Sequence, residues 1–223
     1  MSSDFTLTLA GNSNPNASAK ITNGGDIALN GNNVGINGNN IALQSISAVT
    51  LIGSTAGDKL SVTNAAFIPA VNLQGPAGGD SFVVNFIGSN SYTVTVSGAG
   101  AGNTLTINGT GANNTYNING SPVSLGSEVV SYAGVQSLIL NTFNGNDTIN
   151  IVSTAVNTTV NGGNGSDTYN INSVSNPTTV NLGTGTNLVN LGTLAPTTTG
   201  GTLNQITAAL AILGARAAER FDA

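Results

Sequence analysis

The 223-residue chain contains no cysteine, no histidine and no tryptophan, and only 6% of its residues are charged. Without histidine and cysteine it lacks the commonest general base, a thiol nucleophile and the usual zinc ligands. The absence of cysteine also excludes a disulfide framework. Four basic residues, Lys20, Lys59, Arg216 and Arg220, are too few to build a surface that tracks phosphates, so nucleic acid is not an expected partner. No run of about 18 apolar residues occurs, and no transmembrane helix is expected. The opening MSSDFTLTLAGNSN has neither a basic region nor an apolar core, so it does not read as a Sec-type signal, and if the protein is exported, either a signal has been removed or another route is used. The net charge of −5 is scattered along the chain and forms no acidic tail or steering field.

What fills the chain instead is asparagine, glycine, threonine and serine, at 34, 30, 28 and 21 residues, or 113 of 223 positions. Such polarity can signal disorder, but disordered chains usually carry high net charge and few β-branched residues. Here valine, isoleucine, leucine and threonine recur at even spacing, which suits short strands.

Internal repetition sets the architecture. Leu140, Val160 and Val180 are each followed by asparagine, at Asn141, Asn161 and Asn181. Gly145, Gly165 and Gly185 share the next position, followed by Asp147, Asp167 and Asn187. Alternating segments close each period, at Thr148–Ile151, Thr168–Ile171 and Leu188–Leu191. A second repetition, of 89 residues, superposes Asp58, Leu60 and Val62 on Asp147, Ile149 and Ile151. Neighbouring strands of a sandwich have no reason to repeat asparagine and glycine in register. Stacked parallel coils do, because equivalent residues then lie about 4.8 Å apart along one axis. The expected fold is all-β: a parallel β-solenoid with rungs of about 20 residues. Ile149, Tyr169 and Val189 should line its interior, and Asn150, Asn170 and Asn190 should form an outward amide ladder.

The same reading divides the chain into residues 1–19 (a strand and an Asn/Ser-rich loop), 20–108 and 109–195 (two solenoid units), and 196–223 (a linker and a helix). Leu203, Ile206, Leu210, Leu213 and Ala217 fall at helical spacing with alanines between them. They predict a C-terminal helix that caps the exposed strand backbone at the end of the solenoid.

Asp147 and Asp167, one rung apart, should lie about 5 Å from each other. Ionised carboxylates that close repel unless a cation, a raised pKa or solvation offsets them. Alternatively each aspartate caps its own turn through nearby backbone N–H groups, a role that Asn187 fills equally well. The same separation occurs in retaining glycosidases, but with no tryptophan and no basic residue close in sequence the pair is not read as catalytic, and the chain is not expected to be an enzyme.

Gly162-Gly163-Asn164-Gly165-Ser166-Asp167-Thr168-Tyr169-Asn170 resembles the calcium-binding nonapeptide of the RTX (repeats-in-toxin) family, and Asn144-Gly145-Asn146-Asp147-Thr148-Ile149 is a partial copy. The resemblance implies a parallel β-roll, export and a calcium ion held by Asp147, Asp167 and the Gly163 and Gly165 carbonyls. The wider pattern is Gly-Asn-Thr-φ-x-φ-Asn-Gly, with a Tyr132–Leu138 bridge. It is similar to the repeats of bacterial surface and matrix proteins, including adhesins and layer- or filament-forming β-solenoids, for which calcium is optional. The Glu219–Ala223 ending resembles the uncleaved C-terminal signals of type I secretion, which implies an extracellular or cell-surface location.

The function expected from these readings is structural: a self-assembling extracellular subunit of a filament, matrix or surface layer that requires no cofactor. Its partners would be copies of itself, with a cell-surface or polysaccharide contact in addition. Assembly is expected to use Phe5, Leu7 and Leu9, by strand addition, together with Leu210 and Leu213. The alternative is a calcium-binding RTX-like module or adhesin stalk segment of a larger secreted protein.

Overall fold

The computed structural model describes residues 4–11, 17–22, 26–30, 33–36, 39–42, 46–53, 57–64, 70–88, 91–197, 200–214 and 220–222. They form strands and connecting turns, with no helix among them. The chain divides into two compact units, Met1–Thr106 with Ser127–Gln136, and Ile107–Gly126 with Ser137–Ala223.

In the second unit each 20-residue period gives one strand to each of two sheets. Thr148–Ser153, Thr168–Ile171 and Leu188–Leu191 run parallel in one sheet, pairing Ile149 with Tyr169 and Tyr169 with Val189. Ser137–Asn141, Asn157–Asn161 and Thr178–Gly183 run parallel in the other, pairing Leu140 with Val160 and Val160 with Val180. Ile149, Tyr169, Val189, Val160 and Val180 are fully buried. The period-2 alternation thus turns one apolar row of each strand inward, where each aliphatic side chain is worth about 1.5–3 kcal/mol on burial.

Asparagines on the strand face opposite the aliphatic row bond to one another along the axis, and Asn170 and Asn190 are themselves buried. Asn170 Nδ2 donates to Asn150 Oδ1 at 2.7 Å, and Asn190 Nδ2 to Asn170 Oδ1 at 2.7 Å. On the other sheet Asn161 donates to Asn141 at 2.8 Å and Asn181 to Asn161 at 2.6 Å. An amide carries both donor and acceptor, so a column of them can satisfy itself without charge. That is the physical reason for asparagine at these places.

The first unit uses the same scheme with less regular spacing. Ile46–Ile52, Ala70–Gly75, Thr93–Gly98 and Glu128–Ala133 run parallel in one sheet. Asp26–Asn30, Lys59–Asn64 and Ser81–Asn85 run parallel in the other. Antiparallel strands end both sheets. Asp4–Gly11 pairs with Ile46–Ile52 on one edge and Ala17–Thr22 on the other, while Asn33–Ile36 joins Asp26–Asn30 to Asn39–Ala42.

The C-terminal helix expected over 203–220 is not formed. Leu210–Gly214 is a strand, parallel to Thr178–Gly183, and Arg220–Asp222 is a strand parallel to Leu188–Leu191. Ala217, Glu219 and Ala223 lie outside the described residues. Intrinsic helix preference amounts to only a few tenths of a kcal/mol per residue. The open edge of a parallel sheet instead offers this segment a full set of backbone partners. Leu210 and Ile212 are half-buried while Ala211 and Leu213 are exposed, the alternation of a strand.

Interior volume is balanced over seven residues. Tyr169 reaches back towards Gly162, Tyr116 towards Gly109 and Phe82 towards Gly75, and a Cβ at any of these glycines would collide with the ring. Where the inward residue is smaller, at Ile149 and Val189, the position seven earlier holds Thr142 or Leu182, both fully buried. Close-packed interiors penalise both voids and overfilling. Gly162→Thr alone is therefore expected to destabilise by about 1–3 kcal/mol, and Tyr169→Ile alone by about 2–4 kcal/mol. Together they copy the Thr142–Ile149 rung, and the double variant should recover most of the combined loss in denaturant unfolding. Simple additivity would contradict the pairing.

Candidate functional site: a buried Asx ladder at the corner

Asp147 and Asp167 are brought one rung apart, as expected, but both are only 1% exposed. Their carboxylates face the backbone of the neighbouring coil. Asp167 Oδ1 accepts from the Asp147 N–H at 2.8 Å, and Asn187 Oδ1 accepts from the Asp167 N–H at 2.8 Å. Asp147 Oδ1 in turn accepts from the Asn114 N–H at 2.8 Å. Carbonyls run the other way, with Asp147 O accepting from Thr168 N–H and Asp167 O from Leu188 N–H, both at 2.8 Å. Each aspartate or asparagine therefore ties two coils together rather than capping its own turn. The equivalence of aspartate and asparagine follows, because either offers one acceptor oxygen.

The first unit repeats the device. Asp58 N–H donates to Asp80 Oδ1 at 2.9 Å, Asp80 N–H to Asn103 Oδ1 at 2.9 Å, and Asn103 N–H to Gln136 Oε1 at 2.7 Å. In the repeat Asp80 matches Asp167, and Asn103 and Asn114 occupy the same position, but Gln136 was not expected in the column, because the intervals of 22, 23 and 33 residues are unequal. The usable signal was an Asx or Gln immediately before each inward strand.

Gly163 and Gly165 form the turn before Asp167, with φ of 83° and 144°. At both places a Cβ would strike a carbonyl of the coil beneath, that of Phe143 or of Gly145. These glycines allow the corners to stack closely. Phe5, Leu7 and Leu9 lie in Asp4–Gly11, whose two edges are both paired within its own unit. That backbone is already spent, so strand addition through this segment is not available. Leu210 is half-buried and Leu213 is 55% exposed, on a strand at the end of its sheet among the described residues.

The electrostatics follow from burial. Asp147 is pushed up to about 6 from 3.8, chiefly by desolvation. The Asn114 N–H opposes that rise, and the charge of Asp167 adds to it. Asp167 and Asp80 are also raised, again mainly by burial. Thr142 Oγ1 is engaged with the Gly162 carbonyl at 2.7 Å, and no donor is aligned with Asp147 Oδ2 or Asp80 Oδ2. The column thus holds neutral carboxyls more readily than charged ones. No group of three or more acidic or other ligating side chains gathers at one point among the described residues.

No family model, curated protein or solved structure shows significant similarity to this chain.

Two outcomes test the ladder. Asp167→Asn keeps the acceptor and should be nearly neutral, whereas Asp167→Ala strands the buried Asp147 N–H and should cost about 1–3 kcal/mol. A carboxyl raised by folding contributes stability that is complete below its unfolded pKa and is lost as pH rises through its folded pKa. For Asp147 that window runs from 3.8 to about 6. The melting temperature should therefore fall between roughly pH 4 and 7, and Asp147→Asn should flatten the fall in a calorimetric pH series.

Proposed function

We propose that this chain is a structural, self-assembling β-solenoid subunit of an extracellular filament, matrix or surface layer. The observation that carries this reading is the last described coil of the second unit. Leu210–Gly214 and Arg220–Asp222 are the terminal strands of their sheets, and terminal strands carry backbone N–H and C=O groups that can template another chain. Natural edges are usually blunted by lysine, proline, bulges or a covering element. Leu210-Ala211-Ile212-Leu213-Gly214 has no charge and no proline. Exposed Leu194, Leu203 and Leu213 lie in the same C-terminal stretch, at 50%, 49% and 55% exposure.

In the first unit Ala17–Thr22 and Asn39–Ala42 are likewise terminal strands. Pairing between non-identical terminal strands is heterologous association, which yields open filaments when the rotation does not close. Extracellular placement rests on the likeness to secreted surface repeats. A calcium-dependent module or adhesin stalk is the competing reading. Calcium there would meet the unpartnered Asp147 Oδ2, while the Oδ1 atoms of Asp147 and Asp167 already accept backbone N–H groups.

Negative-stain microscopy and light scattering over a concentration series should show elongated oligomers. Ala211→Lys/Leu213→Lys should disperse them, because charge on an edge strand opposes pairing, while leaving the melting temperature nearly unchanged. Wild-type protein that stays monomeric at every concentration would contradict the reading. A large rise in melting temperature on adding calcium would favour the competing one.

A further inference from the structure

Phe143 is the only residue other than glycine with a left-handed backbone among the described residues, at φ 70°. The next two coils place Gly163 and Gly183 at the same corner, with φ of 83° and 76°. An aromatic side chain in this region is strained, and burial does not compensate for it, since Phe143 is 46% exposed. Glycine would adopt the turn freely. A strained position held at an exposed aromatic is grounds for a functional hypothesis.

Phe143 directly precedes Asn144, which begins the first of two hydrogen-bonded polar rows on the same turn. Asn164 Nδ2 donates to Asn144 Oδ1 at 2.9 Å, and Thr184 Oγ1 donates to Asn164 Oδ1 at 2.9 Å. In the second row Asn146 Oδ1 accepts from the Ser166 N–H at 2.8 Å, and Ser166 Oγ accepts from the Thr186 N–H at 3.2 Å. All six residues are exposed, and they repeat at the rung spacing of about 4.8 Å. From residue 137 to residue 197 the only charged side chains are Asp147 and Asp167, and each is 1% exposed. The side chains of this stretch therefore offer no exposed charge to a phosphate, an anionic lipid or a charged peptide.

We infer that the Phe143 corner is a binding site for an uncharged polysaccharide. One face of a sugar ring is apolar C–H and stacks on an aromatic ring, while its hydroxyls exchange hydrogen bonds with amides and hydroxyls. An extended neutral glycan presents both along its length, which matches an exposed aromatic on the same turn as regular rows of asparagine, serine and threonine. This site is distinct from the terminal strands proposed for assembly.

The test uses the full chain, at a concentration where light scattering shows the same particle size for every variant. Titration calorimetry with cellohexaose, chitohexaose and laminarihexaose should detect binding of at least one by the wild type. Phe143→Gly should weaken that binding at least tenfold and raise the melting temperature by about 2–4 °C as strain is released. Phe143→Trp should bind at least as well as the wild type, and Asn164→Ala should bind more weakly. Absence of binding to all three sugars would overturn the inference, as would Phe143→Gly binding like the wild type. Preference for a sulfated glucan or for anionic vesicles over the neutral sugars would also overturn it.

Discussion

In-register stacking of successive coils is the constraint on which the other features depend. A parallel rung lies about 4.8 Å from the next, so each side chain meets the residue one period later before it meets anything else. Residue types that tolerate their own company are favoured at each column: aliphatics inside, asparagine amides outside, glycine at the corners. A charge is the poorest choice, because it would face its own copy. The scarcity of charge in this sequence follows from the geometry, and three of the aspartates that enter a column, Asp80, Asp147 and Asp167, each accept a backbone N–H and have pKa values shifted upward.

The corner ladder uses buried side chains to complete backbone bonding between coils. The column through Asn114, Asp147, Asp167 and Asn187 and the column through Asp58, Asp80, Asn103 and Gln136 do the same work at different spacings. That shared chemistry explains why aspartate, asparagine and glutamine interchange there. It also makes the stability of the fold sensitive to protonation, since burial penalises the charged form of the acidic members.

Much of this was readable from residue order. The columns Ile149–Tyr169–Val189 and Asn150–Asn170–Asn190 follow from the 20-residue recurrence, and the structure pairs those residues directly. Three features were not read. Leu203, Ile206, Leu210 and Leu213 have helical spacing, yet an available parallel edge outweighs local preference and Leu210–Gly214 becomes a strand. The matching of Gly75 to Phe82, Gly109 to Tyr116 and Gly162 to Tyr169 was present in the sequence, but it makes sense only once both residues face one interior. The left-handed backbone of Phe143 leaves a single trace in sequence, which is that its partners one and two coils on are glycines.

The chain has no native cysteine, which permits a direct test of the stack. Thr159 and Thr179 are register partners on adjacent parallel strands, both half-buried on the outward row, and their separation by one rung, about 4.8 Å, suits a disulfide. Thr159→Cys/Thr179→Cys should cross-link within one molecule almost completely under mild oxidation. Thr159→Cys/Asn181→Cys, two residues out of register, should not. Equal yields from the two pairs, or no cross-link in the first, would contradict the stacked-coil account.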